Sequence, residues 1–301
     1  MSDFLKNAVE AAKIGGAIQH EHLGRVLKVE FKTGGSINLV TDVDRRCEKA
    51  VLSYLRKAYP RHGLWGEESG RGRKAEWTWV VDPLDGTTNY AHGYPFFCCS
   101  VALLKDERPI AGAVFNPVSN ELFTAEKAGG ARLNNKRIRV SSVSRLDQAL
   151  LATGFAYFIK ETPYNLDNFK RFVLAAQGVR RDGSAALNLS YVAAGRFDGM
   201  WERGPQAWDM AAGVLLIQEA GGIVTDITGG PWRVDGQNML VSNGRIHQQM
   251  LDILQAGPDE KRWLKRQERG TRSRRAPDIV QQTITADLPL FASRARPRKK
   301  R

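Results

Sequence analysis

A short stretch of the chain combines a strand of the buried type with two carboxylates on a tight turn. A valine pair, residues 80–81, leads directly into Asp82, and Asp85 follows within the turn. Pro83 fixes its own backbone φ angle and Gly86 permits an unusual one, so both carboxylates can point into one space. A bridged pair of hard cations requires oxygen ligands in such an arrangement, and Asp82 is then placed to bridge them.

The backbone amides that follow Asp85 offer a site for an anion. Thr87 and Thr88 stand at the expected start of a helix, where unpaired N–H groups favour a phosphate held by the metal ions. The alternative is that the Pro-x-Asp-Gly pattern of residues 83–86 marks only a common turn. Taken by itself, this segment leaves both interpretations open.

Acidic residues at other places in the chain add to this segment. Glu67 and Glu68 follow a short apolar stretch on a loop, and Asp209 lies in the first turn of an expected helix. Each also has an ordinary structural explanation, because the glutamates suit an exposed turn and the aspartate suits the helix dipole. The same dipole explains Asp44, at the start of another expected helix. The residues alone therefore leave a structural and a catalytic interpretation open.

Together these segments resemble the inositol monophosphatase family of lithium-sensitive phosphatases. The likeness spans about residues 1–256 and keeps the order and approximate spacing of the family's motifs. It implies a layered αβαβα sandwich, with an α+β first half and an α/β second half. The motifs that carry it are Gly66-Glu67-Glu68-Ser69, Asp82-Pro83-Leu84-Asp85-Gly86-Thr87-Thr88-Asn89 and Trp208-Asp209-Met210-Ala211-Ala212-Gly213.

The resemblance implies metal ligands residue by residue. A first metal ion is expected on Glu67, Asp82 and the backbone carbonyl of Leu84. A second is expected on Asp82, Asp85 and Asp209, and a third, weaker ion would use Glu67. The expected cofactor is Mg²⁺, which neutralises phosphate oxygens, lowers the pKa of a bound water and stabilises the leaving alkoxide.

The same resemblance assigns residues to the nucleophilic water and to the substrate. Thr87, hydrogen-bonded to Asp44, would orient the water and help to deprotonate it, and Glu67 joins this catalytic group. Glu202 matches the acid that accepts hydrogen bonds from substrate hydroxyls. The expected substrate-binding residues are Gly86, Thr87, Thr88, Gly183, Ser184, Ala185, Glu202 and Asp209.

The expected function is hydrolysis of a small phosphate monoester by a metal-activated water. Inositol monophosphate is favoured because Thr88-Asn89-Tyr90 resembles the inositol monophosphatase branch of the family. Fructose bisphosphate and other sugar or nucleotide phosphates are the alternatives, since they share the same metal chemistry. The resemblance also implies a homodimer, and some bacterial members of the family additionally bind RNA or the transcription apparatus.

Hydrophobic periodicity predicts the elements that must position these residues. Apolar residues at helical spacing predict helices over 4–23 and 41–59, and the second helix has Asp44 in its first turn. Another helix is predicted to contain Pro205 in its first turn and to carry Asp209. The predicted strands are residues 77–81, 96–104, 110–115, 150–153 and 223–226, and further helices are predicted over 166–176 and 185–194.

Charge separates the chain into a body and a basic tail. The net charge is +13, but from Gly257 onward there are 14 Lys or Arg against 5 Asp or Glu. The tail therefore contributes +9 and the body only +4, so nucleic-acid or protein binding is expected of the tail, which is predicted to be disordered. The expected segments are 1–145 with most metal ligands, 146–256 with Asp209 and substrate contacts, and the tail 257–301.

Cysteine usage and the N-terminus bear on the cell compartment. Cys47, Cys98 and Cys99 are odd in number and form no CxxC pair, which indicates reduced, buried thiols. Charged residues at the N-terminus replace the apolar core of a signal peptide, and no run approaches membrane-spanning length. We therefore expect a cytoplasmic protein without a membrane segment.

Overall fold

The computed structural model describes the body of the chain and not the basic tail, residues 257–301. Predictions about that tail therefore stay predictions. All of the described residues belong to one compact unit, and the division of the body at residue 145 stays a prediction as well. The described ranges are 1–25, 29–31, 39–155, 164–236 and 238–256.

Two sheets occupy the first half of the chain. The small one pairs β1 (Val29–Phe31) with β2 (Leu39–Thr41) antiparallel. The strands found for the larger one in the described residues are β3 (Gly63–Gly66), β4 (Gly70–Arg71), β5 (Trp77–Asp85), β6 (Cys98–Lys105), β7 (Arg108–Asn116), β8 (Glu121–Glu126), β9 (Gly130–Leu133) and β10 (Lys136–Arg137). Their spatial order is β10-β9-β8-β7-β6-β5-β3-β4, and β3 runs parallel to β5 while the other neighbours are antiparallel.

The central strands of the larger sheet are buried on both faces. Trp79 and Val81 of β5 belong to one apolar cluster, whereas Val80 between them belongs to another. Cys99 and Cys98 of β6 divide in the same way, because successive side chains of a strand point to opposite faces. Burial on both faces explains why these strands read as continuous apolar runs.

Helices cover both faces of this sheet. Those found in the described residues are α1 (Asp3–His22), α2 (Asp42–Ala58), α3 (Thr87–Ala91), α4 (Tyr164–Ala175), α5 (Ala185–Ala193), α6 (Ala207–Glu219) and α7 (His247–Gln255). The pair α1 and α2 packs on one face, and α6 packs on the other with α5 beside it. Gly213 allows this pairing, because a Cβ at that position would lie 2.5 Å from Leu189 of α5.

A third sheet lies beyond α5 and α6. Its strands in the described residues are β11 (Leu150–Thr153), β12 (Gly178–Arg180), β13 (Gly199–Arg203), β14 (Ile223–Thr225) and β15 (Asn238–Ser242). Their order is β12-β11-β13-β15-β14, with β11 parallel to β12 and β13. Phe172 of α4 and Met250 of α7 close the far side by packing against Trp201 of β13. The layers are therefore α, β, α, β, α, as the family resemblance implies.

Local sequence signals account for most element boundaries, with one error. The Ser2 side chain accepts a hydrogen bond from the Leu5 N–H and caps α1. Pro205, predicted inside the first turn of α6, instead precedes the N-cap residue Gln206. Strands β1 to β4, β8 to β10, β12, β13 and β15 and helix α7 were not predicted. None of the helices in the described ranges is long and apolar enough to cross a membrane.

Candidate metal centre and active site

Strand β5 brings two aspartates to one end of the larger sheet. Asp82 pairs with Ser100 of β6, whereas Asp85 pairs with Cys98, so β5 uses one residue more than β6 over this interval. The extra residue forms a β-bulge, which interrupts the strict alternation of side chains between the two faces. Without it, side chains three positions apart would point to opposite faces. Asp82 and Asp85 can therefore share one space.

A third aspartate comes from the second half of the chain. Asp209 lies in the first turn of α6, where its Oδ2 accepts a hydrogen bond from the Gln206 N–H at 2.7 Å. One carboxylate oxygen from each of Asp82, Asp85 and Asp209 lies within 4.8 Å of the others. Asp82 and Asp85 are only 2% and 8% exposed. Asp209 is half-buried, and the structure thus gathers three of the expected metal ligands into one cluster.

The electrostatics of these three aspartates favour a bound cation. Burial raises the pKa of Asp82 well above its usual value, and the surrounding carboxylates raise it further. Burial also raises the pKa of Asp209, followed by the charge of Asp85. No lysine or arginine in the described part of the chain forms a salt bridge with any of the three. Buried carboxylates without a countercharge are costly, and an all-oxygen set fits a hard divalent cation.

Glu67 and the carbonyl of Leu84, the other expected metal ligands, border this cluster. Glu67 is half-buried in the turn between β3 and β4, and its N–H donates to the carbonyl of Val81 at 3.2 Å. Its carboxylate is not among the three that approach within 4.8 Å, yet it raises the pKa of Asp82. The carbonyl of Leu84 accepts a hydrogen bond from the Thr87 hydroxyl at 3.1 Å.

Asp44 in the first turn of α2 contacts Thr87 in the first turn of α3. The Thr87 hydroxyl donates to Asp44 Oδ1 at 2.8 Å. Asp44 Oδ2 accepts from the N–H of Thr41 at 2.8 Å and from its hydroxyl at 2.5 Å. Burial raises the pKa of Asp44 to about 6. Because the single proton of Thr87 is directed at Asp44 and at the Leu84 carbonyl, its oxygen keeps a lone pair able to accept a proton from water.

Gly86 shapes the turn that joins Asp85 to α3. Its φ angle of 100° lies in the left-handed region, which glycine adopts readily. A Cβ at this position would also lie 2.9 Å from the carbonyl oxygen of Phe96. The turn leaves Thr88 exposed at the surface and buries Thr87.

The segment 183–185, expected to bind substrate, contacts Asp85. The Ser184 hydroxyl donates to Asp85 Oδ2 at 2.5 Å, and the N–H of Ala185 donates to Oδ1 at 3.2 Å. The N–H of Ala186 donates to Oδ2 at 2.7 Å. These contacts lower the pKa of Asp85 and oppose the larger increase caused by burial. The start of α5 therefore holds Asp85 in place from the second half of the chain, and its substrate role stays a prediction.

Glu202 of β13 is a buried acceptor close to the same cluster. It is 9% exposed, and its Oε2 has no hydrogen-bond partner within the described ranges. Burial raises the pKa of Glu202 to about 8, the charge of Asp85 adds to this, and Arg181 opposes it. Gly154, after β11, makes room for the carboxylate, since a Cβ there would lie 2.0 Å from Oε1. Glu202 is thus positioned to accept a hydrogen bond from a ligand hydroxyl.

Two side chains beside the site, buried Glu48 and half-buried Asn89, received no role from the sequence. Glu48 of α2 accepts two backbone N–H groups of the turn after β3. Its spacing of four residues from Asp44 was a usable signal, because such residues share a helix face. The Asn89 side chain donates to the carbonyls of Phe96 and Asp182, each at 2.7 Å. No local pattern could predict the latter contact, which joins residues 93 positions apart.

Comparisons with known proteins bear on the family of this chain. A family model described as "Inositol monophosphatase family" matches residues 1–258. An inositol-1-monophosphatase of Synechocystis sp. is 42% identical over 261 residues, which is 86% of this chain and 91% of that protein. The Nus factor SuhB of Pseudomonas aeruginosa is 41% identical over 263 residues, or 85% of this chain and 97% of that protein.

Solved structures give the same result for the fold. An inositol monophosphatase from Anabaena superposes with a TM-score of 0.78 at 42% identity, covering 86% of this chain and 98% of that one. The suppressor protein SuhB from Bartonella henselae superposes with a TM-score of 0.80 at 40% identity, covering 85% of this chain and 100% of that one.

Proposed function

The chain belongs to the inositol monophosphatase family and is a phosphoric monoester hydrolase, and on this premise we propose that it hydrolyses inositol monophosphate with Mg²⁺ as cofactor. The observation that carries the proposal is the cluster of Asp82, Asp85 and Asp209 beside the Thr87–Asp44 pair. The cluster supplies an anionic oxygen site, and the pair supplies a proton acceptor next to it.

The metal ligands that we propose follow the arrangement of these residues. Glu67, Asp82 and the Leu84 carbonyl would hold one Mg²⁺, and Asp82, Asp85 and Asp209 a second. A third, weaker ion would use Glu67. When bound, the ions supply charge for the phosphate oxygens, a lowered water pKa and a Lewis acid for the leaving alkoxide.

Thr87 and Asp44 handle the proton of the attacking water in this proposal. The Thr87 oxygen accepts the water proton while its own proton passes towards Asp44 Oδ1, 2.8 Å away. Asp44 is held for this task by the N–H and hydroxyl of Thr41. A carboxylate whose pKa lies near 6 can accept a proton at neutral pH and release it again.

Recognition of the substrate is assigned to groups around the cluster. The amides of Gly86, Thr87 and Thr88 would receive phosphate oxygens. The Oε2 atom of Glu202, buried and without a partner in the described residues, would accept a hydroxyl of the inositol ring. The segment 183–185 would contact the ring from the start of α5, and Asp209 would contribute a further acceptor.

A substrate panel tests the proposal. Purified protein with Mg²⁺ is assayed on inositol 1-phosphate, fructose bisphosphate, a nucleotide bisphosphate and p-nitrophenyl phosphate, with EDTA as the control. We expect the highest kcat/KM on inositol 1-phosphate and no turnover with EDTA. A higher kcat/KM on fructose bisphosphate would make that the substrate, and turnover unaffected by EDTA would reject the metal site.

The names of several relatives favour a second role. The Nus factor SuhB proteins of Pseudomonas aeruginosa and Salmonella typhimurium are 41% and 42% identical to this chain. We propose that this chain also binds RNA or the transcription apparatus, with its basic tail as the contact. Pull-down of RNA polymerase components by the full chain, absent from a chain ending at Ala256, would support the second role.

We also propose that the protein forms a homodimer. Light scattering of the full chain measures this oligomeric state directly.

A further inference from the structure

Glu48 is a buried acid that the proposed chemistry does not use. Its side chain belongs to α2 and the residue is only 4% exposed. Oε2 accepts the N–H of Glu68 and Oε1 accepts the N–H of Ser69, each at 2.8 Å. Glu48 forms no salt bridge within the described part of the chain. Both of its oxygens are therefore committed to two consecutive amides of one turn.

That turn is the one that presents Glu67. Residues 67–69 connect β3 to β4, which pair antiparallel with Gly66 opposite Gly70. On the strand side, the N–H of Glu67 donates to the Val81 carbonyl. The following two amides lie beyond the reach of the sheet and are satisfied by Glu48 instead. An apolar residue at position 48 would leave both of these N–H groups without this acceptor.

The turn needs this anchor because it places negative charges beside other negative charges. The charge of Glu67 raises the pKa of Asp82, and the charge of Glu68 raises that of Asp44. These carboxylates carry like charges and repel one another. A loosely held turn would therefore move the carboxylates of Glu67 and Glu68 away from the aspartate cluster. Hydrogen bonds from backbone N–H groups to a carboxylate are of the stronger, charge-assisted kind. Glu48 thus opposes the displacement of Glu67.

Gly66 gives an independent indication of how closely Glu48 and the turn fit together. A Cβ on Gly66 would lie 2.5 Å from Glu48 Oε2 and 2.6 Å from its Cδ, and 2.9 Å from the Ser69 hydroxyl. Real Cβ atoms do not approach so closely, so any side chain at position 66 would separate Glu48 from the amides. The absence of a side chain at residue 66 is therefore a condition for the two hydrogen bonds.

From these contacts we propose that Glu48 is a positioning residue of the metal centre, which holds the turn 67–69 so that Glu67 faces the aspartate cluster. The inference rests on the proposed function, since it takes Glu67 as a metal ligand. Asp44 and Glu48 are one helical turn apart on α2, so the same helix face supports the Thr87 contact and the Glu67 turn. A residue that orients a metal ligand typically changes metal affinity by about 10–100-fold when it is mutated.

The test is Mg²⁺ binding by Glu48→Gln, measured by calorimetry without substrate. Glutamine keeps the size of the side chain but turns one acceptor into an NH₂ group that faces a backbone N–H. We expect roughly 10–100-fold weaker binding, a matching rise in the Mg²⁺ concentration for half-maximal activity, and kcat close to wild type at saturating Mg²⁺. Gly66→Ala should weaken Mg²⁺ binding in the same way, because its methyl group would push the Glu48 carboxylate away from the two amides. Glu10→Gln, an exposed change on α1, should leave Mg²⁺ binding unaltered.

Hydrogen exchange of the metal-free proteins separates positioning from general stability. In Glu48→Gln, amides 68 and 69 should exchange faster, while β6 keeps its wild-type protection. Wild-type Mg²⁺ affinity in both Glu48→Gln and Gly66→Ala would overturn this inference and leave the proposed function intact. A uniform rise in exchange over the whole protein would overturn it too, by making Glu48 a general stability residue. A wild-type protein that binds no Mg²⁺ would overturn the proposed function and this inference with it.

Discussion

The Thr87 hydroxyl donates a 2.8 Å hydrogen bond to Asp44, joining the first turn of α3 to the first turn of α2 across 43 positions of the chain. The pair lies beside the aspartate cluster because Thr87 also donates to the carbonyl of Leu84, between Asp82 and Asp85. The turn from Asp82 to Thr87 thereby joins the proton acceptor to two of the three clustered aspartates.

Thr87→Ala should lower kcat by roughly 10²–10⁴-fold, the usual contribution of a positioned proton acceptor. Mg²⁺ binding should change little, because the aspartates remain. Asp44→Asn should give a similar loss. In the wild type, kcat/KM should fall as the pH drops through about 6, where Asp44 becomes protonated. Steady-state rates between pH 5 and 8 on inositol 1-phosphate check this, and a Thr87→Ala enzyme with wild-type kcat would remove Thr87 from the mechanism.

The metal-free protein should become more stable as the pH falls from about 8 to 5. The folded pKa of Glu202, about 8, lies above its ordinary value of 4.5, and that of Asp44, about 6, lies above 3.8. A raised folded pKa gives stability that is present below the ordinary pKa and is lost as the pH rises through the folded one. Each titrating group changes stability by at most about 1.4 kcal/mol per pH unit.

Glu202→Gln should flatten this pH dependence, because glutamine does not titrate. Thermal unfolding in EDTA, followed by circular dichroism, measures the effect, with Glu10→Gln as an exposed control. The same variant should raise KM for inositol 1-phosphate more than for p-nitrophenyl phosphate, which offers no ring hydroxyls. The burial and the recognition role of Glu202 would be contradicted if the variant showed the wild-type dependence of Tm on pH together with the wild-type ratio of the two KM values.

The sequence predicted the centre of the site better than its surroundings. Asp82, Asp85 and Asp209 could be singled out because their motifs together resemble those of a known family, whereas each motif alone also had a structural explanation. Helices α1, α2 and α6 were also predictable, since each shows a continuous apolar stripe. The contact of Ser184 with Asp85 could not be predicted, because it joins residues 99 positions apart and depends on how the two sheets are placed around α5.

Predicted helix boundaries were wrong where a residue type suited a position that the backbone does not give it. Pro205 suits the first turn of a helix by its φ angle, but Gln206 and Asp209 form the capping box and fix the start of α6 after the proline. Strand β13 was noticed only for Glu202, because its five residues do not alternate regularly between apolar and polar, although the turn signal Gly204-Pro205 follows it. The three cysteines were predicted to be free and buried, and the structure confirms this.

Lithium should inhibit the enzyme at millimolar concentrations. The monovalent ion would replace one of the more weakly held Mg²⁺ ions and neutralise less charge, so release of the product phosphate should be slowed. Assays at modest Mg²⁺ with increasing LiCl, and NaCl as the matched salt, measure the effect. Rates that respond equally to the two salts up to tens of millimolar would contradict lithium sensitivity.

Truncation after Ala256 should leave kcat and KM for inositol 1-phosphate unchanged, because every proposed ligand precedes residue 210. The tail carries +9 of the net charge of +13, so any RNA binding by the full chain should disappear in the truncated one and should weaken steeply with salt. Electrophoretic mobility shifts at two salt concentrations test this. Equal, salt-resistant binding by both forms would place the nucleic-acid surface on the body.

Asp82→Asn and Asp209→Asn should each lower turnover by about 1,000-fold or more at saturating Mg²⁺, because each removes charge from the shared metal site. Both variants should fold, and the metal-free forms should be at least as stable as wild type, since a repelling buried charge is lost. Circular dichroism establishes the fold first. Asp252→Asn, an exposed change on α7, is the matched control. Activity within a fewfold of wild type in either folded variant would reject the ligand assignment.

The most direct measurement is anomalous diffraction from crystals of the wild-type protein soaked in Mn²⁺, which binds the same oxygen ligands as Mg²⁺ and scatters anomalously. We expect two peaks, one within about 2.5 Å of oxygens from Asp82, Asp85 and Asp209, and one near Asp82 and the Leu84 carbonyl. Soaking crystals of Asp209→Asn should remove or weaken the first. Clear peaks elsewhere on the protein with none at the aspartate cluster would contradict the claim that this cluster is the metal centre.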